Sequence, residues 1–314
     1  MGIEPFPFNN LAEKAVFRQF NGSSPPVGVY DDQSLLSETS PGIKPGRFRN
    51  PWQVVVIGVT QYPKYSIVIP AYNESARIPA TLQAVSSYIH AQGWAAEIIV
   101  VNDGSRDGTA EAVRTFAQTA PEVRLIENPG NRGKGYSVRN GLLQALGEVV
   151  MFTDSDLSAP IEEAELLFAA IAQGADIAIG SRWLESGRQT HRQPLYRQFF
   201  GRCFNAVTRT VMGLRFADTQ CGFKAFTRAA AQTVFQLQTI EGWGFDPEIL
   251  FIALKRGYRI AEVPVSWHHD ERTRMSYLKD GMKMLEEIAI IRWNALLGRY
   301  DKKVERIHRA PQAR

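Results

Sequence analysis

The sequence predicts an α/β protein built around a mostly parallel sheet, and two observations carry this prediction. From Tyr65 onward, apolar runs of strand length alternate with longer amphipathic segments, which is the pattern of consecutive βαβ units. Each of the first four apolar runs also stops at a short polar segment. Because ligands of open α/β sheets bind beyond the carboxyl ends of the strands, we expect the functional site at that edge.

The elements can be assigned in order from the spacing of their apolar residues. Strands are expected at Ser66–Pro70, Glu97–Val101, Val123–Glu127, the run that ends at Phe152, and Asp176–Gly180. Helices are expected at Ala76–Gln92 with a stop at Gly93, Thr109–Thr119, Lys134–Leu146, Ile161–Gln173, Pro194–Leu214 and Tyr277–Tyr300. No internal repeat interrupts this alternation.

Three regions follow from this assignment. Residues 1–62 are rich in Pro, Gly, Ser and Asn and carry no sustained period apart from the run Val54–Val59, so a mostly irregular extension is expected. Residues 63–272 hold the α/β domain. Residues 273–314 are expected to form a C-terminal amphipathic helix followed by a basic tail.

Composition narrows the class of protein. The 314 residues are 44% hydrophobic with a net charge of +4, which suits a globular protein with phosphorylated ligands, an anionic membrane surface or nucleic acid as partners. Cys203 and Cys221 provide neither a disulfide framework nor metal-binding spacing, which fits a reducing compartment. No window approaches the roughly 20 apolar residues that span a bilayer, and the first residues lack a secretory signal. Membrane contact is therefore expected to be peripheral.

Two acids spaced i, i+2 follow the fourth strand. Asp154 and Asp156 can converge, because alternate residues of a strand point to the same side. Mg²⁺ and Mn²⁺ prefer carboxylate oxygens and share their shell with water and substrate phosphates. The alternative is a solvated loop in which Ser158 caps a helix beginning near Pro160.

Polar segments also follow the first three strands, at residues 70–74, 102–109 and 128–135. Taken singly, Asp107 and Thr109 suit helix caps and the glycines suit turns. The glycine-rich segment fits neither the Walker pattern nor Gly-x-Gly-x-x-Gly, which disfavours ATPases and dinucleotide-binding enzymes. Nucleic acid is disfavoured because the basic residues lack an interleaved aromatic platform and the paired acids would repel phosphates.

Taken together, Pro-Ala-Tyr-Asn-Glu, Asn-Asp-Gly-Ser-x-Asp-Gly-Thr, Asn-x-Gly-Lys-Gly and Asp-x-Asp resemble the family 2 inverting glycosyltransferases with the GT-A fold. The motifs at 180–182, 218–224 and 243–246 resemble those of polyprenyl-phosphate hexose synthases, above all dolichyl-phosphate glucosyltransferases, then mannose synthases. Processive relatives carry Gln-x-x-Arg-Trp, whereas Ala289 stands three places before Arg292. The resemblance implies a Rossmann-like, mostly parallel central sheet flanked by helices, with C-terminal amphipathic helices.

The resemblance also implies a reaction, in which a hexose passes with inversion from a nucleotide sugar to a polyprenyl or dolichyl phosphate. UDP-glucose is the expected donor and GDP-mannose the alternative, with Mg²⁺ or Mn²⁺ as cofactor. The implied donor-binding residues are Pro70, Tyr72, Glu74, Asp103, Lys134, Asp154 and Gln220. The implied metal ligands are Asp154, Asp156 and Ser158, and the implied catalytic residues are Asp156, Lys224 and Arg182.

The chemistry of the acceptor sets further expectations. A phosphate monoester is mostly dianionic at neutral pH and can attack without a general base, whereas a soluble hydroxyl acceptor would need one, such as Asp246 or Glu248. Guanidinium groups bind phosphate bidentately, so Arg182, Arg197 and Arg202 are the candidate acceptor-phosphate ligands.

The two amphipathic helices 194–214 and 277–300 are expected either at the membrane surface or packed on the core. The segment Arg272–Ser276 is interpreted as a loop that closes over the donor diphosphate. The expected location is cytoplasmic, peripheral on the cytoplasmic face of a membrane.

Overall fold

The structure, a computed structural model, describes residues 62–184, 205–268 and 277–304. Its strands are β1 (Tyr65–Ala71), β2 (Ala96–Asn102), β3 (Val123–Glu127), β4 (Val149–Phe152), β5 (Ile177–Ser181), β6 (Lys224–Thr227) and β7 (Ile260–Pro264). Its helices are α1 (Ile78–Ala91), α2 (Thr109–Ala117), α3 (Lys134–Gln144), α4 (Ala164–Ala172), α5 (residues 205–212), α6 (Arg228–Leu237), α7 (Phe245–Lys255) and α8 (Tyr277–Leu296).

The strands form one seven-stranded sheet in the order β3-β2-β1-β4-β6-β5-β7. Only β6 runs antiparallel to its neighbours among these strands, so the predicted mostly parallel sheet is confirmed. Successive residues of β1 enter different cores: Val68 packs beneath α3, α6 and α7, while Ile67 and Ile69 pack beneath α1 and α4. Both faces of the sheet are therefore covered, which explains the near-continuous apolar strands.

The predicted elements up to β5 are confirmed with small shifts at their ends. Helix α3 ends at Gln144 rather than Leu146. The helix predicted from Ile161 begins at Ala164, because a 3₁₀ turn, Ile161–Glu163, precedes it. Gly93 ends α1 as expected, with a φ of 61°.

The region between α5 and α8 contains elements that the sequence analysis did not assign: β6, α6, α7 and β7. Strand β6 inserts between β4 and β5, with Lys224 opposite both Phe152 and Ile179. A four-residue strand carries too few residues for its period to be recognised.

Helix α8 has two different faces. The apolar residues of this predicted amphipathic helix include Met284, Leu285, Ile288, Ile291 and Leu296, which the structure divides between two faces. Met284, Ile288 and Ile291 are buried, whereas Leu285 and Leu296 are exposed. Helix α5 exposes Val207 and Val211, whereas Leu214, two residues beyond its end, is buried. Nothing in the described part of the chain forms a helix long and apolar enough to cross a membrane.

Several predictions fall outside the described residues. They are the extension at residues 1–61, the start of the helix expected from Pro194 with Arg197 and Arg202, the loop Arg272–Ser276 and the tail from residue 305.

Candidate active site

The sheet brings the predicted motifs to one edge. Strands β1, β2 and β4 are parallel and adjacent, so the segments that follow them emerge side by side. Strand β6 is antiparallel to β4, so its first residue, Lys224, lies opposite Phe152, the last residue of β4. The site is therefore bounded by the carboxyl ends of three strands and the amino end of a fourth.

The segments after β1 and β2 are joined by hydrogen bonds. The amide of Asn73 donates to Ser105 Oγ at 2.8 Å, and the amide of Glu74 donates to Thr109 Oγ1 at 2.8 Å. Glu74 also lies 3.3 Å from Arg77, and the Tyr72 side chain is exposed. Predicted donor residues of this segment thus lie on a fixed backbone, with Tyr72 facing solvent.

Asp103 organises the glycine-rich segment. Its Oδ1 accepts from Asn128 Nδ2 at 2.8 Å and from the amide of Arg132 at 3.0 Å, and its Oδ2 accepts from the amide of Gly133 at 2.8 Å. The carboxylate is buried. In the structure, Asp103 ties the ends of β2 and β3 to the start of α3. Its contact with a nucleotide base stays a prediction.

Asp154 and Lys134 form an ion pair across the site. Burial alone would lower the pKa of Lys134, but the facing carboxylates of Asp154 and Asp246 raise it above its ordinary value. Gly222, two residues before β6, packs against Asp154, since a Cβ there would lie 2.7 Å from Asp154 Cγ. Glycine is therefore required at position 222 for Asp154 to occupy this position.

Asp156 lies beside Asp154 and is half-buried. Burial and the neighbouring negative charge of Asp154 raise the pKa of Asp156. The amide of Ser158 donates to Asp156 Oδ1 at 2.9 Å. The interpretation of Ser158 as a helix cap is wrong, since the next element is the 3₁₀ turn preceded by Pro160, without a side-chain cap.

These acids fit a hard divalent cation. Two carboxylates whose charges repel each other face one region, and such a pair gains from an added positive charge. Within the described ranges, no group of three or more His, Cys, Asp or Glu side chains could hold a metal. A cation here would thus take further ligands from Ser158, water or substrate phosphates, as Mg²⁺ commonly does.

Lys224 is entirely buried, so its ion pair is an interior one and not a surface salt bridge. Its Nζ donates to Cys221 O at 2.6 Å and pairs with Asp246 at the start of α7. A buried lysine needs such a partner, because an unpaired charge in the interior is strongly destabilising. Asp246 also interacts electrostatically with Lys134 and Asp154. The catalytic role that the resemblance implies for Lys224 stays a prediction.

Arg182 forms a bidentate pair with Asp218, with Nε to Oδ2 at 2.6 Å and Nη2 to Oδ1 at 2.9 Å. Burial alone would raise the pKa of Asp218, but Arg182 holds it below its ordinary value. The amide of Gln220 donates to Asp218 Oδ1 at 3.2 Å. Next to this pair, burial raises the pKa of the free Cys221 thiol to about 12, so that thiol is unreactive at neutral pH.

The two candidate bases for a hydroxyl acceptor serve the structure. Asp246 pairs with Lys224. Glu248 is fully buried and accepts hydrogen bonds from both the amide and the hydroxyl of Thr239, from the Ile240 amide and from the Tyr300 hydroxyl. The carboxylate oxygens of Glu248 are therefore occupied by hydrogen bonds that connect α7 to the segment before it and to Tyr300.

The sequence analysis missed three residues that shape the site: Asn128, Glu241 and Glu287. Asn128 bridges Asp103 and Ser137, and its position directly after a strand could have indicated this role. Glu241 pairs with Arg132 at 2.8 Å, and Glu287 reaches the segment before α7 from α8. The last two lie far along the chain from their partners, and no local pattern marks them.

A Rossmann-like sheet with paired acids and buried lysines at its strand ends, and with no Walker loop, defines the class of nucleotide-sugar glycosyltransferases with the GT-A fold. The family model described as glycosyl transferase family 2 matches residues 66–235. The chain belongs to this family, as the resemblance of its motifs implied, and it is a transferase.

Relatives with curated names cover most of the chain. The dolichyl-phosphate beta-glucosyltransferase ALG5C of Trichomonas vaginalis is 40% identical over 241 residues, which are 72% of this chain and 70% of that protein. The dolichyl-phosphate beta-glucosyltransferase of Saccharomyces cerevisiae is 34% identical, covering 75% of this chain and 76% of its own. The human dolichyl-phosphate beta-glucosyltransferase is 32% identical, and the match covers 74% of this chain and 76% of the human protein.

Solved structures support the fold. Glucosyl-3-phosphoglycerate synthase from Mycobacterium tuberculosis, in complex with Mn²⁺, UDP and glucosyl-3-phosphoglycerate, matches with a TM-score of 0.56 at 22% identity. The match covers 77% of this chain and 81% of that one. The predicted GT-A fold is thereby confirmed.

Proposed function

We propose that the protein transfers glucose from UDP-glucose to a polyprenyl or dolichyl phosphate and forms a β-linked lipid-phosphate sugar. The observation that carries the proposal is the identity of 30% or more, over most of the chain, to proteins named dolichyl-phosphate beta-glucosyltransferase. The arrangement of charged residues at the strand ends supports it. GDP-mannose stays the alternative donor.

For the donor, we propose that Pro70, Tyr72, Glu74 and Asp103 shape the nucleotide pocket while Lys134, Asp154 and Gln220 lie at the diphosphate and sugar. Tyr72 supports this role, because its ring is exposed beside the Asp103 loop. Lys134 supports it through its position between Asp154 and Asp246. A cation at this place stabilises the charge that grows as the nucleoside diphosphate leaves.

Asp154, Asp156 and Ser158 would hold Mg²⁺ or Mn²⁺. When bound, the cation would neutralise charge on the leaving diphosphate. Asp154 would then exchange its pairing with Lys134 for the metal, which leaves the lysine for the diphosphate. Structural relatives crystallised with Mn²⁺ or Mg²⁺ and UDP share this fold.

For the acceptor, we propose that its phosphate oxygen attacks the anomeric carbon directly, which inverts configuration. A dianionic phosphate needs no base, and this agrees with the structural use of Asp246 and Glu248. Arg182, Arg197 and Arg202 would bind the acceptor phosphate. Arg182 is held in place for that role by Asp218, while Arg197 and Arg202 rest on the sequence alone.

The outer face of α8 supports a peripheral position on a membrane. Six apolar side chains are exposed along it and just beyond: Met282, Leu285, Ile290, Trp293, Leu296 and Leu297. The exposed cations Lys283 and Arg292 border this face, as in helices that lie in a membrane interface. We extend the proposal to the cytoplasmic face, which the free thiol of Cys221 supports because free thiols are usual in reducing compartments.

The proposal is tested by incubating the protein with a polyprenyl phosphate, Mg²⁺ and labelled UDP-glucose, GDP-mannose or UDP-N-acetylglucosamine. We expect label in the organic extract with UDP-glucose, and transfer slower by about a hundredfold or more after Asp156→Ala. Preferred transfer from GDP-mannose would make the protein a mannose synthase. Preferred transfer to a free sugar would favour the soluble-acceptor glycosyltransferase instead.

A further inference from the structure

A short turn before α7, Gly242-Trp243-Gly244, contacts an acid from the far end of the chain. Glu287 of α8 is 6% exposed, and its Oε2 accepts a hydrogen bond from the amide of Gly244 at 2.7 Å. Neither glycine has room for a side chain beside Glu287. A Cβ on Gly242 would lie 3.1 Å from Glu287 Cδ, and one on Gly244 would lie 2.9 Å from Glu287 Cβ. The acid therefore holds the backbone on both sides of Trp243.

Trp243 connects this turn to the donor side of the site. Its side chain is 40% exposed, and Lys134 Nζ lies 5.3 Å from the centre of its ring, within the range of a cation–π contact. Lys134 in turn pairs with Asp154. A continuous set of contacts thus runs from Glu287 through Trp243 to Lys134 and Asp154.

The opposite side of the segment rests on the start of α3. The amide of Tyr136 donates to Glu241 O at 3.2 Å, and the Glu241 carboxylate pairs with Arg132. The segment is thereby held between α3 and α8. A displacement of α8 would move Trp243 relative to Lys134, since α3 fixes the other end.

Packing alone does not explain an acid at position 287. The neighbouring inner positions of α8 are apolar, including Met284, Ile288 and Ile291, and burying a carboxylate is unfavourable where an apolar side chain would pack. What the carboxylate adds is an acceptor for the Gly244 amide. We propose that Glu287 is a positioning residue of the donor site, which acts through Trp243 on Lys134. This inference rests on the proposed function, because it takes a nucleoside diphosphate as the ligand.

The test compares two substitutions of similar size. Glu287→Gln keeps an oxygen that accepts from Gly244, whereas Glu287→Met keeps the packing and removes the acceptor. The dissociation constant of UDP with Mn²⁺ is measured by calorimetry without lipid. We expect binding to weaken roughly tenfold in Glu287→Met and less than about threefold in Glu287→Gln, as for one hydrogen bond to a charged group. Glu286→Gln, at the exposed neighbour, should leave binding unchanged.

A double-mutant cycle with Trp243→Phe separates positioning from general stability. If Glu287 acts through Trp243, the combined variant loses little more UDP affinity than Trp243→Phe alone. Additive losses, or equal affinity in Glu287→Met and wild type, would overturn the inference and leave the proposed function intact. Failure of the wild-type protein to bind UDP would overturn the proposed function itself.

Discussion

Among the described residues, three largely buried cation–carboxylate pairs lie at or near the strand ends: Lys134 with Asp154, Lys224 with Asp246, and Arg182 with Asp218. Each pair is largely buried, and in that setting removing one partner destabilises more than the pair itself stabilises. At the residue scale, substitutions of these groups therefore affect both folding and activity. Within the described ranges, Asp156 has no such cationic partner in contact, which makes it a cleaner probe of the chemistry.

We predict that Asp156→Ala lowers the rate of glucose transfer about a hundredfold or more, equivalent to roughly 3 kcal/mol of transition-state stabilisation. The reason is the loss of a ligand for the divalent cation. Transfer to polyprenyl phosphate at saturating Mg²⁺ measures the effect, with Glu111→Ala, an exposed acid of α2, as the control. Full activity of Asp156→Ala in chelator would exclude the metal-dependent mechanism.

A second prediction at this scale concerns acid stability. Burial would raise the pKa of Asp107, but hydrogen bonds from Thr109 and Ser75 prevail and lower it from 3.8 to about 2. A carboxyl group whose pKa is lower in the folded protein than in the unfolded chain stabilises the fold at pH values above its unfolded pKa. This stabilisation is lost as the pH falls toward the folded pKa. The difference in free energy of unfolding between wild type and Asp107→Asn should thus shrink from about pH 4 to pH 2, measured by urea denaturation. A difference independent of pH would contradict this account.

At the scale of elements, α3 packs so closely on β1 and β2 that a glycine is needed in its middle. A Cβ on Gly141 would lie 2.9 Å from Val101 Cγ2 and closer still to Val68. Gly281 of α8 offers the contrast, because no atom of the described residues lies within 4 Å of a Cβ built there. The two positions separate the effect of space from the effect of helix propensity.

We predict that Gly141→Ala destabilises the protein by about 1–3 kcal/mol through overpacking. Gly281→Ala should stabilise it by roughly 0.5–1 kcal/mol, because alanine loses less conformational freedom in a helix. Thermal or urea unfolding of both variants checks the pair. Equal effects at the two positions would show that backbone propensity, and not the α3–β1 contact, decides the outcome.

At the scale of the whole molecule, α8 joins the core to an exposed apolar surface. Its inner face packs through residues such as Ile288 and Ile291, while Trp293 and Leu296 are 62% and 76% exposed on the outer face. An apolar surface bordered by basic residues favours an anionic membrane. The same helix carries Glu287, so the proposed membrane contact and the proposed donor site would share one element.

We predict that Trp293→Ser combined with Leu296→Ser weakens binding to anionic vesicles at least roughly tenfold, because two large apolar side chains no longer enter the interface. Flotation of the full chain with vesicles measures this, and UDP affinity should be unchanged. Leu166→Ser removes an exposed apolar side chain from α4 and serves as the control. Unchanged flotation of the double variant would exclude the outer face of α8 as the membrane contact.

The α/β class, the elements up to β5, the family and the residues that gather at the strand ends could all be predicted from local sequence patterns. This was possible because these features are local: alternation of apolar and polar residues marks βαβ units, and each motif directly follows its own strand. The positions of Asp154 and Asp156 after β4 are of this kind.

The pairing of the charges and the buried face of each late element could not be predicted in this way, because they depend on long-range packing. The insertion of β6 beside β4, the burial of Lys224 against Asp246 and the contact of Glu287 with Gly244 join residues that are distant in the chain. Likewise, α8 is apolar on opposite sides, and periodicity cannot tell which side meets the core. Which charges pair and which helix face is buried depend on packing across the whole fold. A short segment of sequence does not reveal that packing.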